Sequence, residues 1–122
     1  PEDGQVAAVV DWEMCTVGDP LLDLGALLAT WPRGDEVEVV DAALGRLPGL
    51  PTREELVGVY ERALGRRAVG VRWHEVFGAA RYCVLVLRVM NRLEERGLLP
   101  PGSDLYLAGG VTDALRMQLE ER

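Results

Sequence analysis

The 122-residue chain is 48% hydrophobic and 27% charged, the balance of a globular domain with one core and not of a disordered tail. A formal net charge of −7 removes the basic surface that a general nucleic-acid or anionic-membrane binder needs. Two cysteines, Cys15 and Cys83, offer neither a disulfide scaffold nor paired zinc spacing, and no apolar run approaches the roughly 18 residues of a membrane span. A cytoplasmic protein with reduced thiols is expected.

The chain opens PEDGQVAAVV without a methionine, and Asp3-Gly4 is a hairpin-turn signal with almost nothing before it. It reads as a piece of something longer. Gln5 to Val10 is short and rich in valine, which predicts a strand buried on both faces. From Asp19 onward helices take over. Asp19-Pro20 is a helix start, with the aspartate as cap and proline tolerated at the first helical position. Leu21, Leu24, Leu27 and Leu28 carry this helix to Trp31-Pro32.

Asp35 opens a second helix through Val39, Val40, Ala43, Leu44 and Leu47, broken by Pro48-Gly49-Leu50-Pro51. Thr52 and Glu55 form a capping box before Leu56, Val59, Tyr60 and Leu64, and Gly65 ends that helix. A longer helix spans about Val71 to Glu95, with Trp73, Val76, Phe77, Ala80, Val84 and Leu87 among its apolar positions at three-and-four spacing. Cys83, Met90 and Leu93 share that stripe, and Gly97 with Pro100-Pro101 closes the helix. A last helix runs from Ser103 or Asp104 to the C-terminus, with Gly109-Gly110 inside it as a kink or a point of close contact.

The expected fold is mainly α, a single domain over 1–122 with about five helices plus one N-terminal strand or hairpin arm. A lone buried strand has no ladder partner, so missing sheet is implied. Its unpaired edge predicts self-association through residues 5–10, by strand exchange.

The chemistry concentrates in residues 9–25, VVDWEMCTVGDPLLDLG. Asp19 reads most simply as a helix cap, and Asp23 as a first-turn carboxylate favoured by the helix dipole and partly buried among leucines. Asp11 differs: it ends a strand and has no helix to cap at once. A carboxylate there either is solvated or holds a hard cation such as Mg2+, which takes a few carboxylate oxygens and shares its remaining positions with phosphate and water. His74 reads as a surface or helix-end residue, Arg66-Arg67 as a solvated basic pair, and Ser103 as a cap.

The stretch Val9-Val10-Asp11-Trp12-Glu13, followed by Gly18-Asp19-Pro20 and Asp23-Leu24-Gly25, resembles a hallmark of the aminoglycoside phosphotransferase and choline kinase-like family. That family has a protein-kinase-like fold. With the DGQVAAVV arm, the segment looks most like the branch related to phosphotransferase domains found with acyl-CoA dehydrogenases. The resemblance implies that residues 1–18 are a strand and metal-binding loop and 19–122 the helical, substrate-side subdomain of a C-terminal lobe. It places Asp11 where the family's aspartate holds Mg2+ against ATP phosphates, with Glu13 near enough to touch a second metal or the substrate. Asp19 and Asp23 then brace the following helix and the loops.

The family's catalytic loop, HGDxxxxN, does not occur in these residues, nor does the glycine-rich N-terminal lobe with its ATP-anchoring lysine. The catalytic aspartate therefore lies outside the chain. The expectation is the C-terminal part of an ATP- and Mg-dependent phosphotransferase acting on a small hydroxyl compound. Alone it would be inactive and would bind neither Mg2+ nor ATP tightly. The other class of reading is a helical interaction module that keeps the motif for capping and packing.

Overall fold

A computed structural model of the chain describes residues 6–32, 48–103, 116, 119 and 120. Among these residues the architecture is helical: a 3-10 turn at Trp12–Met14, then α1 (Leu21–Thr30), α2 (Arg53–Leu64) and α3 (Val71–Glu95). The helix expected over 35–47 lies outside the described residues. Of the last expected helix, residues 116, 119 and 120 are described and are helical.

The strand expected at Gln5–Val10 is not formed at the described positions 6–10, which follow no regular element. Nor is it buried: Val6, Val9 and Val10 stand largely in solvent. No segment among the described residues pairs with it, and a single segment cannot satisfy its own backbone groups as sheet.

α1 packs by its 3.6-residue period. Leu21, Leu24, Gly25 and Leu28 fall on one face and are buried, with Leu28 the most completely enclosed. Asp23 lies on the opposite face and is exposed, not partly buried as its leucine neighbours suggested. Trp31 is extended, φ −80° and ψ 140°, as a residue before proline prefers, so the helix stops there. The indole Nε1 of Trp31 donates to the Pro51 carbonyl at 2.9 Å, tying the end of α1 to the start of α2.

The capping box of α2 is closed in both directions. The Glu55 amide donates to Thr52 Oγ1 at 3.1 Å, and the Thr52 amide to Glu55 Oε2 at 2.8 Å. Gly65 ends the helix in the left-handed conformation, φ 72°. Leu56, Val57 and Tyr60 from α2, with Ala68 and Val71 beyond it, cover the leucine face of α1.

α3 is the platform on which α1 lies, but its packed face is not its large apolar stripe. The buried positions are His74, Glu75, Gly78, Ala79 and Met90, whereas Trp73, Phe77, Val84 and Leu87 are exposed. Close approach explains the inversion. A Cβ on Gly78 would sit 2.8 Å from both the Cα and the nitrogen of Ala26, so only a glycine lets the helices meet here. The larger side chains face away from α1.

Burial pushes the Cys83 thiol up from its ordinary range, while Cys15 is exposed on the loop before α1. A raised thiol pKa leaves less thiolate at any pH below it. An alkylating reagent at mildly alkaline pH should therefore modify Cys15 first and Cys83 about tenfold more slowly. Mass-resolved labelling that finds equal rates would contradict this.

Candidate functional site

The loop from Val9 to Asp19 is built around one strained residue. Asp11 adopts the left-handed conformation at φ 68° and ψ 49°, the only non-glycine residue with positive φ among those described. Aspartate tolerates that region better than most side chains, yet the conformation still costs free energy and such strain collects at functional positions. The turn that follows is held by two bonds. The Cys15 amide donates to the Trp12 carbonyl at 3.0 Å, and the Trp12 indole Nε1 donates to the Val9 carbonyl at 2.8 Å. The backbone on both sides of Asp11 is thus pinned.

Asp11 itself is exposed and makes no capping bond to the turn it precedes. Its carboxylate is open to a ligand. Glu13, two residues on, is exposed and borders a broad groove along α3 together with Phe77, Arg81, Val84 and Arg88. No group of three or more histidine, cysteine or acidic side chains among the described residues could enclose a metal ion. Asp11 and Glu13 are the two exposed carboxylates of this turn.

Asp19 works on two elements. Its Oδ1 accepts from the Leu21 amide at 2.9 Å, and its carbonyl accepts from the Leu22 amide at 3.0 Å, closing the first turn of α1. Its Oδ2 lies 3.5 Å from Nε2 of His74. His74 lies in the first turn of α3, the helix-end position of the two expected, and is buried there and not at the surface; its Nδ1 is 2.8 Å from the Gly70 carbonyl. The ring thus lies between the Gly70 carbonyl and the Asp19 carboxylate, which places α3 against the residue that opens α1. Asp23 stands apart on the exposed face of α1, and Arg66 and Arg67 are exposed. At Ser103 the hydroxyl donates to the Pro100 carbonyl at 2.7 Å, and the amide donates to Glu94 at 3.2 Å.

A second polar cluster, which sequence reading had not singled out, lies behind the site. Arg53 at the start of α2 donates to the carbonyl of Leu28 and pairs with the buried Glu75 of α3. It also donates to the Trp31 carbonyl at 3.3 Å. Arginine near a helix C-terminus is a recognised cap for orphan carbonyls, but here it comes from another helix. The sequence signal was weak: an arginine just inside a capping box is ordinarily solvated.

Residues 2–56 match the model of the phosphotransferase enzyme family, so the resemblance carried by the Asp11-Trp12-Glu13 and Gly18-Asp19-Pro20 motifs is shown over that segment. Among curated proteins the similarity points to one kind of relative. The chain is 34% identical over 76 residues to acyl-CoA dehydrogenase family member 11 of Homo sapiens, a match covering 61% of this chain and 10% of that protein. The protein of the same name from Rattus norvegicus is 37% identical over 67 residues, covering 53% of this chain and 9% of the relative. The match thus spans about a tenth of these relatives' length. No solved structure matches.

Proposed function

We propose that this chain forms the helical, C-terminal part of a protein-kinase-like small-molecule phosphotransferase, in which Asp11 holds Mg2+ beside the phosphates of ATP. The observation that carries this reading is Asp11 itself. It is an exposed carboxylate in a strained, pinned conformation at the head of a family motif. In the reaction the γ-phosphorus of ATP bonds to the acceptor hydroxyl oxygen, the bond to the β-phosphate bridge breaks, and the hydroxyl proton passes to a base outside this chain. Mg2+, when bound, neutralises phosphate charge; phosphoryl transfer depends on such positioning and electrostatics more than on covalent help.

The residues of the chain divide the remaining tasks. Trp12 and Cys15 fix the turn that presents Asp11, and Asp19 with His74 locks that turn's exit onto α1 and α3. Glu13 reaches the edge of the α3 groove, where a second metal or the acceptor would lie. No helix among the described residues is long and apolar enough to cross a membrane, and a cytoplasmic enzyme is the setting that suits ATP.

The test is Asp11→Asn in the full-length protein, which keeps size and tolerates the left-handed conformation while removing the charge. ATP-dependent phosphorylation, read as ADP release over a panel of hydroxyl acceptors, should fall about a hundredfold or more. Undiminished turnover by the variant would overturn the assignment.

A further inference from the structure

The groove along α3 has a charge character that the chain as a whole does not. It has a volume of about 1170 Å³, enough for a small molecule, and three of its walls' side chains are Arg81, Arg88 and Arg92. These recur at intervals of seven and four residues, which on an α-helix places them on one stripe. At 1.5 Å rise per residue, Arg88 stands about 10 Å beyond Arg81, and Arg92 about 6 Å further on.

None of the three arginines forms an ion pair with a described residue, whereas Arg53, Arg67 and Arg72 all do. The acids bordering the same groove are Glu13 at one side and Glu95 at the end, two against three. Val84 and Leu85 between Arg81 and Arg88, with Phe77 one turn before Arg81, give the groove its apolar lining, Phe77 being stacked on Trp73 at 5.2 Å, and Asn91 adds a polar group beside Arg92. A protein of net charge −7 thus gathers three cations with no ion-pair partner among the described residues on a partly apolar surface that Glu13 also borders.

We infer that this groove binds an amphiphilic anion, a molecule with an apolar body and a phosphate or carboxylate group seated between Arg88 and Arg92. Guanidinium groups one helical turn apart can converge on one anion, and each matches carboxylate or phosphate in a two-pronged hydrogen bond. The apolar lining takes up the rest of the molecule, and Arg81 remains for a second acid group. If the chain serves a phosphotransferase as proposed above, the acceptor is then an acidic hydroxyl compound and not a polycation. That last step rests on the functional reading; the anion selectivity of the groove does not.

The experiment measures binding without ATP. Hexyl phosphate, hexanoate and hexylammonium are titrated into the full-length protein, with tryptophan fluorescence and calorimetry as readouts. One or both anions should bind with affinity that weakens as salt rises, and hexylammonium should bind at least about tenfold more weakly. The phosphate and carboxylate arms decide which head group the site takes. Arg88→Gln with Arg92→Gln should weaken anion binding about tenfold or more, while Arg66→Gln, on an exposed loop, should leave it unchanged. Arg88→Glu with Arg92→Glu should reverse the preference toward hexylammonium.

All of these arginines are exposed, so their replacement leaves the packed core intact, which circular dichroism checks. Equal binding of anion and cation, no binding of either, or full affinity in the double glutamine variant would each overturn the inference. Should that happen while Asp11→Asn still abolishes phosphoryl transfer, the groove assignment fails and the phosphotransferase reading stands. The reverse pattern separates them equally.

Discussion

Gly25→Ala is expected to destabilise the protein by about 3 kcal/mol, even though alanine is the better helix former by up to about 1 kcal/mol. A Cβ at position 25 would lie 2.7 Å from the Cβ of His74 and closer still to that residue's carbonyl group. Backbone atoms cannot swing aside as a side-chain tip can, so α1 and α3 would have to separate. Separation would also pull Asp19 away from His74 and loosen the loop that presents Asp11. Gly78→Ala should behave alike, because its Cβ would meet the Ala26 backbone at 2.8 Å.

Gly58→Ala is the control. It sits inside α2, where the new methyl would meet only the end of the Arg62 side chain at 3.4 Å, so propensity should dominate and the protein should gain up to about 1 kcal/mol. Urea denaturation followed by tryptophan fluorescence reads all three. Equal effects at positions 25 and 58 would show that the helix crossing is looser than the structure has it.

Much of this arrangement was legible because it is local. The capping box at Thr52 and Glu55, the stop at Gly65 and the span of α3 from Val71 to Glu95 depend on residues within a turn or two, and they form as their spacing dictates. The motif around Asp11 was legible for another reason: few other arrangements of tryptophan, glycine and aspartate share its spacing, and residues 2–56 match the family it suggested. What failed was non-local. Gln5–Val10 has the composition of a strand, but a strand is a relation between two segments, and 6–10 has no partner among the described residues.

The face of α3 was misjudged for a related cause. Its period was right, yet which face meets α1 was decided by Gly25 and Gly78, whose value lies in the side chain they lack. Hydrophobic patterning gives no credit to glycine. It therefore favours Trp73 and Phe77 as packed positions, whereas the packed molecule buries His74 and Glu75 and leaves Trp73 and Phe77 exposed.

Arg53→Ala should cost about 3–5 kcal/mol, a loss larger than any single methyl contact in the small leucine core would give. The Glu75 side chain is only 6% exposed, so removing Arg53 takes a charge-assisted contact from a carboxylate held largely away from water. Arg72 lies 3.9 Å from the other oxygen of Glu75, too far and too solvated to take over. The same substitution also strips the Leu28 and Trp31 carbonyls of their donor at the end of α1. Because the penalty falls on a buried carboxylate that has lost its closest cation, it has a distinctive cure. Adding Glu75→Leu to Arg53→Ala should recover a large part of the stability, since an apolar residue in that place needs no partner. Thermal or urea unfolding of the two single variants and the double variant tests this as a cycle. If the double variant is as unstable as the sum of the singles, Arg53 acts through the carbonyls of α1 alone and the buried pair adds nothing.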